Sequence, residues 1–177
     1  ADLVSLPTSH DVVARIQKSS NPKGVAFHPA KKQVFVVGNE ACDADSLVSA
    51  YALAKFLEQQ EDVQAITLAQ IPRSQFRLRG DCKQLFAQAG CEVDDTGAPR
   101  EILFWDEVDW NVISLLERRT IVLTDHNQMH PHVEKYFKGR VKWVLDHHRK
   151  ANLYPDAKYD LDETVGSTCT LVAEQYF

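Results

Sequence analysis

The chain lacks any apolar run approaching the ~18 residues that a membrane span requires. Its opening residues, Ala1 to Val13, carry neither a basic cluster nor a long apolar stretch, so no secretory signal is read there. An initiator Met is also missing, and a processed or excerpted chain is expected. Positive charge is not in excess: 20 Lys+Arg stand against 25 Asp+Glu, a net charge of −5. That balance excludes bulk, sequence-independent nucleic-acid binding, which needs a basic face, and no nucleic-acid or membrane partner is expected. Among Cys42, Cys82, Cys91 and Cys169 no pair has Cys-x-x-Cys spacing, and 177 residues do not need disulfide staples. Reduced, partly buried thiols of a cytoplasmic protein are expected, with Cys82–Cys91 the one pairing left open. Repeats, low-complexity tracts and long linkers are absent, and 44% hydrophobic with 25% charged residues excludes wholesale disorder.

What remains is a regular alternation. Short β-branched and aromatic runs at 33–37, 63–69, 102–105, 120–124 and 141–145 read as strands. Helices are predicted over 9–19, 43–60, 74–89, 109–118 and from Thr168 to the end. The apolar positions of 43–60 (Leu47, Val48, Tyr51, Ala52, Ala54, Phe56, Leu57) form the broad face of a helix packed on a sheet. Strands alternating with helices give an α/β domain, a mostly parallel sheet flanked by helices. In such sheets ligands bind at the carboxyl ends of the strands, and every informative polar cluster of this chain follows a strand.

There are four clusters. Gly38-Asn39-Glu40-Ala41-Cys42-Asp43-Ala44-Asp45-Ser46 joins strand 33–37 to its helix. Either Asp there could cap the helix, but two carboxylates at i, i+2 are also the oxygen donors that hard divalent cations need. Asp125-His126-Asn127 follows strand 120–124, where Asp125 is either a turn former or a ligand. Asp146-His147-His148-Arg149 follows strand 141–145 and is hard to explain as packing. It combines ligands, a carboxylate able to fix a tautomer, and a guanidinium suited to phosphate oxygens. Gly166-Ser167-Thr168 opens the last helix, either as a cap or as an anion cradle of backbone N–H groups. Jointly they have the composition of a metal-assisted phosphoryl-hydrolysis site. Arg73, Arg77, Arg79 and Lys83 form a local basic cluster in this acidic chain, either a solvated helix face or, at Arg77 and Arg79, a surface for a polyanion.

Asp-His-His at 146–148, with Asp-x-Asp-Ser at 43–46 and Asp-His-Asn at 125–127, resembles the DHH phosphoesterase superfamily. The resemblance runs in order from about residue 33 to 177. Gly-Asn-Glu-Ala-Cys-Asp-Ala-Asp-Ser, Ile71-Pro72-Arg73 with Leu78-Arg79-x-Asp81, and Gly-Ser-Thr-Cys at 166–169 resemble its cytosolic exopolyphosphatase and prune-like branch.

The resemblance implies metal-ligand positions at Asp43, Asp45, Asp125 and His147, with Asp125 bridging two divalent ions, Mn²⁺ or Mg²⁺. It implies phosphate contact at His148, with Arg149 beside it. It puts Asn39 where related enzymes carry a His ligand, and has Asp146 supporting His147. Gly166 and Ser167 join Arg77 and Arg79 as expected substrate contacts. The implied activity is removal of terminal phosphate from inorganic polyphosphate. Alternatives are a prune-like phosphodiesterase, a short-chain polyphosphatase or pyrophosphatase, or a non-catalytic scaffold; Asn39 counts against a single-strand nuclease. The resemblance also implies one DHH domain over 1–177, truncated at its C-terminal end, with the strand-end Asp that completes the second metal site and the basic C-terminal domain lying beyond it.

Overall fold

The computed structural model describes residues 27–28 and 30–175; the helix expected over 9–19 lies outside them. Six strands, β1 (Lys32–Val37), β2 (Val63–Ala69), β3 (Leu103–Phe104), β4 (Thr120–Thr124), β5 (Val141–Asp146) and β6 (Lys158–Leu161), form one sheet in the order β3-β2-β1-β4-β5-β6. Every pairing is parallel. β1, β2 and β4 are buried along nearly their whole length, which is why they read as continuous apolar runs.

Helices α1 (Ala44–Leu57), α2 (Gly80–Gln88), α3 (Trp110–Leu115), α4 (Pro131–Phe137) and α5 (Thr168–Glu174) cover the sheet. α3 and α4 lie on one face, where Val112, Ile113, Val133 and Phe137 pack on Phe35, Val37, Leu68, Leu123 and Val144. α1 and α5 lie on the other, with Ala50, Leu53, Leu57 and Val172 against Val34, Val36, Val122 and Leu145. A third cluster joins α2 to the start of α1 through Leu47, Cys82, Phe86, Phe76 and Phe104. Each of these large apolar side chains contributes about 1.5–3 kcal/mol on burial.

Several expected elements are shorter or divided. Helix 43–60 ends at Leu57, and 109–118 is helical only over Trp110–Leu115. The strand at 102–105 keeps Leu103–Phe104, and Trp105 begins a 3₁₀ turn. The segment 74–89 is two pieces: a 3₁₀ helix Arg73–Leu78 and α2, with Arg79 non-helical between them (φ −97°, ψ 69°). Gly80, a poor helix interior residue, sits at that break. α4 and β6 were not anticipated. α4 is only seven residues long, and β6 is a partly exposed edge strand of mixed polarity.

Arg73 overturns the reading of 73–83 as one basic surface. It is 4% exposed, its guanidinium bonds Glu107 (2.5 Å) and Asp94 (2.6 Å) and donates to the Ile102 carbonyl (2.8 Å). It therefore fastens the 3₁₀ segment to the 94–107 region. All four cysteines are free. Burial pushes the Cys42 thiol up to about 11 and those of Cys82 and Cys169 up to about 12.

Arg73→Ala leaves two carboxylates without their cation and is expected to cost about 3–5 kcal/mol in urea unfolding at pH 7. Burial pushes the Asp94 carboxyl up, but bonds from Thr96 and Arg73 outweigh it and hold it below its ordinary value. A carboxyl depressed in the folded state contributes stability above its unfolded pKa of about 4 and loses it as pH falls through the folded value. The wild-type chain is thus expected to lose stability as pH falls below about 4, and Arg73→Ala to lose less over the same fall.

Candidate metal and phosphate centre

The sheet reverses direction of winding between β1 and β4, since β2 follows β1 on one side and β4 pairs with it on the other. The crevice at the carboxyl ends of these two strands is the switch point where open α/β sheets bind ligands. The β1–β4 register ends at Val37↔Leu123, which carries Asn39 alongside Asp125, just past the strand ends.

Gly38 permits the turn out of β1. A Cβ there would lie 2.3 Å from the Ser46 hydroxyl and 2.7 Å from the Ser46 carbonyl. The close approach lets the Asn39 amide donate to the Ser46 hydroxyl at 2.6 Å. Asp43 caps α1, its carboxylate accepting from the Ser46 amide at 3.0 Å, the cap alternative the sequence left open.

Asp125 stands at the centre. It is 3% exposed, and its backbone is left-handed (φ 63°), a conformation few non-glycine residues adopt. The Asn39 side-chain amide donates to Oδ2 at 2.7 Å and the Thr168 hydroxyl to Oδ1 at 3.2 Å. His147 Nε2 lies 3.2 Å from Asp125 Oδ1 and 3.6 Å from Asp45 Oδ2. Its Nδ1 lies 3.3 Å from the Val165 carbonyl, and a hydrogen bond donated there by Nδ1–H would leave Nε2 free to bind a cation beside the carboxylates. Ligand atoms of Asp125, His147 and His148 all lie within 4.8 Å of one another.

Asp45 projects from the first turn of α1 to the start of α5. It accepts from the Ser167 hydroxyl (2.6 Å) and the Thr168 and Cys169 amides (both 3.0 Å). Burial pushes its carboxyl up, but these bonds more than offset that and hold it below its usual value. The anion received at the Gly166-Ser167-Thr168 helix start is thus the chain's own Asp45. Gly166 lies exposed beside it, and Ser167 also caps α5 through the Cys169 amide.

Asp146 corrects one expectation. It supports His148, not His147: its fully buried carboxylate accepts from the His148 amide (3.2 Å) and faces His148 Nδ1 at 2.7 Å. The Asp146 contact raises the His148 pKa, against the smaller opposing effect of burial. Asn39 is placed against Asp125 by its amide NH₂, while its oxygen accepts from the Ala41 amide at 2.9 Å. It therefore orients the carboxylate. Arg149 is exposed beside His148, and Arg77 is exposed with only a 4.0 Å contact to Asp95. Arg79 is half-buried, and its charge lowers the Cys42 and Cys82 pKa values against the larger effect of burial. Thr168 belongs to the Gly166-Ser167-Thr168 cluster read as a cap or anion cradle, but the contact of its hydroxyl with Asp125 carries no signal until α5 is known to dock there.

Three carboxylates converge here with one imidazole. Burial and the Asp45 and Asp43 charges push the Asp125 carboxyl up to about 6. A buried carboxylate repelled by two less buried ones, with an imidazole nitrogen close by, is a donor set suited to Mn²⁺ or Mg²⁺. The fold and the site together define a parallel α/β domain with a candidate divalent-cation centre at its switch point.

The chain belongs to the DHH family: the pattern of the DHH family, N-terminal domain, matches residues 33–176. It is similar to Exopolyphosphatase PRUNE1 of Rattus norvegicus, 34% identical over 142 residues that cover 79% of this chain and 30% of that protein. The Homo sapiens protein of the same name is 34% identical over 143 residues, covering 79% and 30%. A manganese-dependent inorganic pyrophosphatase of Methanocaldococcus jannaschii is 26% identical over 144 residues, covering 81% and 38%. The chain thus spans about a third of the length of these relatives.

Gly38→Ala is expected to destabilise the chain by about 1–3 kcal/mol through overpacking against Ser46. Ser46→Ala should not rescue it, because the Ser46 carbonyl remains 2.7 Å away. Thermal melts of the two single variants and the double variant check this.

Proposed function

We propose that this chain carries the metal-binding part of a phosphohydrolase that removes terminal phosphate from inorganic polyphosphate, acting in the cytoplasm with Mn²⁺ or Mg²⁺. The observation that carries the reading is the convergence of Asp125, His147 and His148 at the switch point, with Asp45 against His147. Relatives named exopolyphosphatase and manganese-dependent pyrophosphatase support it.

In this reading Asp125, His147, Asp45 and Asp43 hold two divalent ions, and Asn39 orients Asp125. Bound there, the ions supply Lewis acidity and neutralise phosphate charge. His148 donates a hydrogen bond from Nδ1–H to Asp146 and presents Nε2–H to a phosphate oxygen. The Asp146 contact raises its pKa and so favours the protonated ring, which stabilises charge as water attacks the terminal phosphorus and the P–O bond to the next phosphate breaks, and which can protonate the departing oxygen. The exposed guanidinium of Arg149 binds terminal phosphate oxygens in bidentate fashion. Gly166 and Ser167 line the same edge. Arg77 and Arg79 sit further out and contact the next phosphates of the chain. Of the alternatives, short-chain polyphosphate or pyrophosphate hydrolysis is favoured by the pyrophosphatase relatives, and substrate length separates it from long-chain hydrolysis.

The test is phosphate release from tripolyphosphate and long polyphosphate with Mn²⁺ or Mg²⁺. Metal-dependent release is expected. Asp125→Ala should reduce it by more than the ~10–100-fold typical of a supporting residue. Arg77→Ala with Arg79→Ala should raise KM more for long chains than for short. Manganese binding without release would mean that the rest of the site lies outside this chain; neither binding nor release would favour a scaffold.

A further inference from the structure

The two adjacent histidines are held by different parts of the molecule. His147 is fixed by the Val165 carbonyl, and its carboxylate neighbours are fixed by Asn39, Thr168, Ser167 and Cys169. None of these contacts reaches residues 148–151. That stretch has no regular structure, because the β5–β6 connection over residues 147–157 contains neither helix nor strand.

One side chain from the β4 loop enters it. Asn127 is 5% exposed. Its amide nitrogen donates to Asp146 Oδ2 at 2.5 Å and to the Arg149 carbonyl at 3.1 Å. Its amide oxygen accepts from the Ala151 amide at 2.8 Å. Both amide protons and the oxygen are therefore used, and they grip the turn at its beginning and its end. The Asp146 carboxylate held at Oδ2 is the one whose Oδ1 receives His148.

We infer that Asn127 is a positioning residue for the phosphate-facing half of the site: it sets the turn that carries His148 and Arg149, while Asp125, His147 and Asp45 are held by other contacts and meet that turn through His148, whose Nδ1 lies 3.9 Å from Asp125 Oδ1. This rests on the phosphohydrolase reading above. A burial role alone would loosen the whole site together. The division of contacts instead gives a split between anion and cation binding. No other residue type of similar size offers two donors and an acceptor from one short planar group. Aspartate keeps the acceptor for Ala151 but loses both donors and sets a charge against Asp146.

Calorimetry of Mn²⁺ binding, and of tripolyphosphate binding to the Mn²⁺-loaded chain at low temperature, tests this in the wild type, Asn127→Ala, Arg149→Ala and the double variant. In Asn127→Ala, tripolyphosphate affinity should fall ~10–100-fold, the range typical for residues that support a site, while Mn²⁺ affinity changes less than about threefold. In the Arg149→Ala background, Asn127→Ala should have a clearly smaller effect. Asn127→Asp should weaken tripolyphosphate binding at least as much as Asn127→Ala, and circular dichroism should show both variants folded. Equal loss of Mn²⁺ and tripolyphosphate affinity, full additivity with Arg149→Ala, or unfolding of both variants would overturn the inference. A wild-type chain that binds neither probe would overturn the hydrolase reading itself, whereas the other adverse outcomes leave that reading intact.

Discussion

The structure turns on the placement of one carboxylate. Asp125 sits past the end of β4 in a left-handed backbone conformation, nearly buried, with further acidic side chains close by. Such a residue costs on the order of 1–3 kcal/mol in backbone strain, besides the repulsion of its neighbours. The surrounding contacts make that arrangement tenable. Asn39 comes from the end of β1, Thr168 from the start of α5 and His147 from the end of β5, so three separate connections of the sheet converge on one side chain. A divalent cation bound there would relieve the remaining repulsion between the carboxylates.

The parallel order β3-β2-β1-β4-β5-β6 makes this convergence possible. All strand ends that carry ligands point the same way, and the reversal between β1 and β4 opens a crevice between helices on opposite faces. Gly38 brings α1 close enough for Ser46 to hold the Asn39 amide, and the first turn of α1 then delivers Asp45 to α5. Rigidity away from the crevice comes from apolar layers on both faces and from the buried Arg73 ion-pair cluster, which anchors the segment leading to Arg77 and Arg79.

The buried strands were legible because a parallel strand covered on both faces is a continuous apolar run, as in Val34–Val37 and Ile121–Thr124. The residues after those strands were legible because carboxylates and imidazoles at strand ends are hard to explain as packing. Other features were hidden for physical reasons. β6 mixes Lys158 and Asp160 with Tyr159 and Leu161 at a half-exposed edge and shows no run. α4 buries only Val133 and Phe137, too few apolar positions to stand out from the polar residues around them, and the arginine pattern of 73–83 cannot tell a buried guanidinium from a solvated one. Asp146 pairs with His148 instead of His147 because His147 turns its Nδ1 to the Val165 carbonyl, a contact 18 residues distant in sequence. Thr168 depends on the docking of α5, which no local pattern encodes.

Binding of a divalent cation by the Asp125 cluster is open to direct observation. Anomalous diffraction at the manganese edge from crystals grown with Mn²⁺ tests it most directly. The account predicts a strong peak among Asp125, His147 and Asp45, lost in Asp125→Ala crystals. A crevice without a peak at saturating Mn²⁺, or a peak that persists without Asp125, would contradict it.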